Sequence, residues 1–158
     1  ARSHGAILLA PTARGSTWAL MGDDVDTPNL MQTLTQIRSL WNIDATRMLL
    51  TGMSDGGTFS YVSGLADASP FTHLAPVAGT FHPMLVQMAD RVRLRDLPVF
   101  ITHGVLDWMF PVEAARFAQR AFAGLGARVT YREIEDLSHT YPFEINTEIL
   151  HWVDATAD

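Results

Sequence analysis

Thr51-Gly52-Met53-Ser54-Asp55-Gly56-Gly57 is the stretch on which the reading of this chain turns. Its centre, Gly52-x-Ser54-x-Gly56, has the G-x-S-x-G pattern of a nucleophile elbow, a tight strand-to-helix turn that lifts a serine hydroxyl above a sheet. The flanks suit such a turn. Residues 47–51 form a short apolar run, as in a buried strand, and residues 58–62 lead into a helical pattern that ends near Ala66. Glycines permit the close backbone approach and the unusual dihedrals that the turn requires. The same residues also suit a plain strand-to-helix loop, so the rest of the chain has to decide between the two.

Working outward, short apolar runs alternate with helical patterns. Residues 5–10 read as a buried strand stopped by Pro11, and residues 13–18, with Trp18 at the end, as a loop. The acidic run from Gly22 to Asp26 reads as a solvated loop or helix start, with Asp26 or Thr27 as cap and Pro28 in the first turn. Leu30, Leu34, Ile37 and Trp41 then recur at helical spacing, which places Trp41 in the core. Residues 71–77 and 98–102 read as strands, 83–90 as a short helix, and the alternating Arg91, Arg93 and Arg95 as a solvent-facing stripe. Residues 111–125 are amphipathic, with Ala114, Ala118, Ala121, Phe122 and Leu125 on one face; residues 128–134 alternate as a strand, and 143–153 close as a helix. This order predicts an α/β protein with a mostly parallel sheet and helices on both faces. Ligands of such sheets bind beyond the carboxyl ends of the strands. Ser54, Asp107 and His139 each follow a predicted strand, so all three are expected at that end.

Composition narrows the chemistry. The chain has 158 residues, 47% hydrophobic and 18% charged, enough for one domain with a sizeable core. Its net charge is −6 and it carries no basic run, which argues against nucleic acid as a partner. No apolar run approaches the length of a membrane span. Cysteine is absent, which excludes thiol nucleophiles and disulfides and fits an exported or a cytoplasmic protein. All 11 basic residues are arginine, so Schiff-base chemistry and a serine–lysine pair are excluded as well. The remaining histidines His4, His73, His82 and His151 show no metal spacing, and no cofactor or metal is expected.

A serine hydroxyl is a poor nucleophile at neutral pH and needs a base, itself oriented by a carboxylate. On α/β-hydrolase sheets the chain order is serine, acid, histidine, and Ser54, Asp107 and His139 follow it. The first gap holds roughly two helix–strand units and the second about one. His103, directly after a strand and ahead of Gly104, competes for the part of base; a structural hydrogen bond is the preferred reading there. Trp108 reads as either core or lining of an acyl pocket, and Trp18 is open in the same way.

Gly52 to Gly57, His103-Gly104-Val105-Leu106-Asp107 and Leu137-Ser138-His139 resemble the serine esterases of the α/β-hydrolase superfamily. The nearest branches are the phospholipase/carboxylesterase group and the polyhydroxybutyrate depolymerase and feruloyl esterase group. The run His4 to Pro11 is similar to their fourth strand, and Asn42-Ile43-Asp44 matches the approach to their elbow strand. The resemblance spans nearly the whole chain, as one α/β-hydrolase catalytic domain over residues 1–158, but lacks a segment matching the first three strands. It implies a carboxylesterase for short-chain or aromatic acyl esters, with Ser54 as nucleophile, His139 as base and Asp107 as its orienting acid. The backbone N–H of Asp55 is the expected oxyanion donor, and Met53, Trp18 and Trp108 are candidates for the substrate pocket. Two alternatives stay open: a serine peptidase with the same three residues, and a catalytically impaired binding module. In the family's strand order the third strand lies between those expected at residues 6–10 and 47–51. The expectation is therefore a C-terminal portion of a longer unit, whose sheet an N-terminal segment or a partner chain completes.

Overall fold

A computed structural model describes residues 4–20 and 22–157. The chain divides into two compact units, Ala1–Ile43 and Asp44–Asp158.

The second unit carries the sheet. Its strands are β1 (Leu49–Met53), β2 (His73–Val77), β3 (Pro98–Gly104) and β4 (Arg128–Ile134), all parallel and in the order β1-β2-β3-β4. Successive strand residues point to opposite faces, and β2 shows which helix covers which. His73 and Ala75 share one face with Phe100: Ala75 and Phe100 pack with Ile145 and Ile149 of the last helix, Ile145–Thr156. Trp152 of that helix meets both His73 and Phe100 edge-on, with ring centroids 5.3 and 5.4 Å apart. Leu74 points the other way, against the helix Asp55–Gly64, so closely that a Cβ on Gly64 would lie 2.3 Å from it. Tyr61 of that helix stacks on Phe122 of the helix Val112–Gly124, and Phe81 packs edge-on to Tyr61. The architecture is thus the α/β class read from the sequence: a parallel sheet with helices on both faces.

The elbow strand forms two residues later than its apolar run suggests, at 49–53 rather than 47–51, and β3 runs on through His103 and Gly104. The arginine stripe is a short helix, Arg91–Leu94, capped by Asp90, whose carboxylate accepts the Val92 N–H at 2.9 Å. Arg93 leaves that stripe. Its guanidinium turns inward and donates to the carbonyls of Gly64 and Phe71, tying off the end of the elbow helix. The helix Val112–Gly124 buries Val112, Ala115, Ala118 and Phe122, so Ala115 rather than Ala114 faces the core.

In the first unit the helix Asp26–Leu40 forms as expected, but its N-cap position is Val25, and the N–H groups of Asp26 and Thr27 are met by the carboxylate of Asp24 ahead of it. Asp26 is buried and holds the preceding loop, accepting from the Arg14 and Ala19 N–H groups at 2.8 and 2.7 Å. Two expectations fail here. Trp41, read as core, lies just past the helix end and is exposed. Residues 6–10, read as a buried strand, form no strand, and Ile7 and Leu8 are exposed. A strand exists only where its N–H and C=O groups meet a neighbour, and no ladder among the described residues includes this run. Among the described residues β1 pairs with β2 alone.

Candidate active site

Parallel strands bring their carboxyl ends to one edge, and three loops there carry the chemistry. The first is the elbow. Ser54 follows β1 directly and adopts φ 57°, ψ −120°, a conformation that L-residues avoid. Its N–H donates to Val77 O at 3.0 Å, and its carbonyl accepts from Thr58 N at 2.9 Å as the helix Asp55–Gly64 begins. The turn closes because two backbones nearly touch: a Cβ on Gly52 would lie 2.5 Å from the carbonyl of Gly56. Strain of this kind persists only where the surroundings enforce it, and it gathers at functional positions.

The second loop follows β3. Asp107 is buried, and its Oδ1 accepts the Met109 and Phe110 N–H groups at 2.9 and 2.8 Å. The third loop follows β4 and carries His139. The two loops are stitched by Val105 N to Ile134 O (2.9 Å) and Leu106 N to Leu137 O (3.0 Å). Gly104 is what allows this, since a Cβ there would come within 2.1 Å of Leu137 O.

The three side chains form one hydrogen-bonded line. His139 Nδ1 lies 2.8 Å from Asp107 Oδ2, and His139 Nε2 lies 2.9 Å from Ser54 Oγ. A carboxylate oxygen only accepts, so Nδ1 carries the proton and Nε2 is left to accept from the serine hydroxyl. Burial pushes the Asp107 carboxyl up. The Phe110 N–H, the His139 ring and the Met109 N–H outweigh that and hold it below the ordinary carboxylate value. An ionised acid, an imidazole in the correct tautomer and a hydroxyl within reach constitute an activated-nucleophile arrangement.

His103, the competing histidine, turns its ring to Phe110 and Asp107, and the nitrogen facing Ser54 Oγ is that of His139. The His103 ring is 1% exposed, and its Nε2 donates to Phe110 O at 2.8 Å. That Nε2 is also 3.3 Å from Asp107 Oδ2, a contact the sequence reading did not anticipate although the four-residue spacing from strand end to loop offered the signal. Phe110, not singled out from the sequence, sets its ring edge-on to His139 with centroids 5.4 Å apart. Among the pocket candidates, Trp108 stands beside His139 at 6.2 Å between centroids and is 75% exposed, so it is not core. Met53 is half-buried at the end of β1, and Asp55 opens the elbow helix with its N–H adjacent to Ser54. Trp18 belongs to the first unit and is half-buried there. Among the described residues no cluster of three or more metal-ligating side chains occurs, and no helix is long and apolar enough to cross a membrane.

Comparison with known proteins gives this geometry a family. The phospholipase/carboxylesterase family model matches residues 22–156. The chain belongs to the phospholipase/carboxylesterase family. Its fold is that of the family's α/β-hydrolases, as solved structures show. SOBER1 of Arabidopsis thaliana is similar with a TM-score of 0.69 at 18% identity, over 84% of this chain and 63% of that one. The Bacillus cereus carboxylesterase is similar with a TM-score of 0.64 at 15% identity, over 82% of this chain and 59% of that one. In sequence, the bifunctional acetylxylan esterase/xylanase XynS20E of Neocallimastix patriciarum is 33% identical over 111 residues, 68% of this chain and 15% of that protein. This phospholipase/carboxylesterase chain therefore spans less than two thirds of the length of each of these three relatives.

Proposed function

We propose that the chain is the catalytic portion of a serine carboxylesterase that works through an acyl-enzyme on Ser54. The observation that carries the reading is the unbroken line from Asp107 Oδ2 through His139 to Ser54 Oγ, with Ser54 held at a positive φ on the elbow. Ser54 attacks the ester carbonyl while His139 takes its proton and returns it to the leaving alcohol. Asp107 keeps the imidazole in the working tautomer and stabilises its charged form. The Asp55 N–H donates to the oxyanion at the start of the helix. The acyl groups are short-chain or aromatic: the exposed Trp108 beside His139 favours an open site, and only the short helices Pro83–Met88 and Arg91–Leu94 fill the connection where a lid would stand. Met53 and Trp108 line that site.

Residues 1–158 are proposed to be part of a larger catalytic domain. Among the described residues β1 is half-exposed and bonded to one neighbour, which supports a further strand at that edge.

Ser54→Ala tests the central claim. Turnover of short p-nitrophenyl esters is expected to vanish with the circular dichroism spectrum unchanged, and labelling by a fluorophosphonate probe to be lost from residue 54. Retained turnover overturns the serine mechanism. Asp107→Asn is expected to keep the fold and cost up to about 10⁴ in kcat, the magnitude the same exchange has in serine proteases.

A further inference from the structure

We propose that His103 is a positioning residue for the acid of this site, fixing Asp107 and the wall of the His139 imidazole at once; this rests on the serine reading above. Two contacts meet on one ring nitrogen, and a third links their partners. Nε2 donates to Phe110 O at 2.8 Å, and a carbonyl oxygen only accepts, so the proton is on Nε2. The same nitrogen lies 3.3 Å from Asp107 Oδ2, the oxygen that receives His139. Phe110, whose carbonyl is held, returns its own N–H to Asp107 Oδ1 at 2.8 Å and presents its ring to His139. Pinning that carbonyl therefore holds Phe110, and through it Asp107 Oδ1 and one side of the imidazole, with Nε2 itself close to Oδ2.

A histidine that merely fills core would satisfy both nitrogens, because buried polar atoms nearly always find partners. Here Nδ1 is buried with no hydrogen-bond partner among the described residues, and the ring's hydrogen bond is on the Asp107 side. The cost of leaving Nδ1 unpaired is tolerated at the one position where the ring reaches the acid. The ring is anchored in the sheet: His103 is the last but one residue of β3, in register with Glu133 of β4, and it is 1% exposed. Asp107 is thereby tied to the rigid sheet rather than only to its own loop. A carboxylate held this way keeps its charge aligned with Nδ1–H of His139 through the reaction.

The test uses the reach of the donor. A Gln side chain sets its Nε2 at nearly the distance of the histidine Nε2, whereas Asn falls one methylene short. His103→Leu and His103→Asn are expected to lower kcat about tenfold or more with KM within about twofold, and His103→Gln to stay within about threefold of the native kcat. In an Asp107→Asn background His103→Leu is expected to cost clearly less than in the native background, since the carboxylate it positions is gone and only the Phe110 wall remains. Equal losses for Gln and Asn, or losses that multiply in the double variant, overturn the proposal. If His103→Leu does not fold, the Gln/Asn pair still decides it. A readout independent of turnover is the downfield proton resonance of His139 Nδ1–H, assigned by its loss in Asp107→Asn and kept in Ser54→Ala. It is expected to shift in His103→Asn and hold in His103→Gln; an unmoved resonance in both overturns the positioning role. Turnover that survives Ser54→Ala sinks the serine mechanism instead, and leaves the resonance to report on His103 alone.

Discussion

Val99, Phe100 and Ile101 lie in β3 at 1% exposure or less, whereas Ile7 and Leu8, in an equally apolar run, are 51% and 79% exposed. The difference is not in side chains. β3 has a parallel neighbour on each side, β2 and β4, so its backbone groups are paired along its length and both its faces are covered. Residues 6–10 have no ladder among the described residues. β1 lies between the two cases, with one neighbour among the described residues and a half-exposed pattern. Burial in this fold follows the number of backbone partners a run acquires, and apolar composition only makes a run eligible.

That comparison breaks most sharply at Phe100. Phe100→Ala removes a ring packed against Ala75, Ile145 and Trp152, and is expected to cost about 3–5 kcal/mol in urea unfolding. A loss under about 1 kcal/mol would mean that β3 is not the core strand it is taken to be. Leu49→Ala, on singly paired β1 and packed only partly on the same cluster, is expected to cost less, about 1–2 kcal/mol by the same measurement.

A smaller effect comes from His73 at the start of β2. Burial lowers its pKa from the ordinary 6.5, helped by the Arg128 and Arg47 charges. The folded state then binds fewer protons than the unfolded chain as pH falls below that ordinary value, so stability drops on acidification. Tm is expected to fall more steeply between pH 7 and pH 5 for the native protein than for His73→Gln; equal slopes would remove His73 from the linkage. Leu8→Ala is expected to be the smallest, within about 0.5 kcal/mol. A loss well above that would show that the run is covered in solution, as it would be if a further strand or chain seats on it.

The sequence by itself determined the alternation of strands and helices, the elbow at Gly52–Gly56 and the order of serine, acid and histidine, because each is a local pattern: an apolar period, a glycine spacing, a polar residue after a strand. It did not determine which apolar runs become strands. Residues 6–10 and Trp41 have core-like composition and are exposed, while Arg93 has surface-like composition and turns inward to the Gly64 and Phe71 carbonyls. Nor did it place His103 against Asp107 Oδ2, or Phe110 against His139. Those outcomes depend on partners remote in the chain or on the path of a loop. A backbone ladder, a guanidinium reaching two carbonyls and a shared carboxylate oxygen exist only once β1 to β4 have paired and brought their carboxyl ends together.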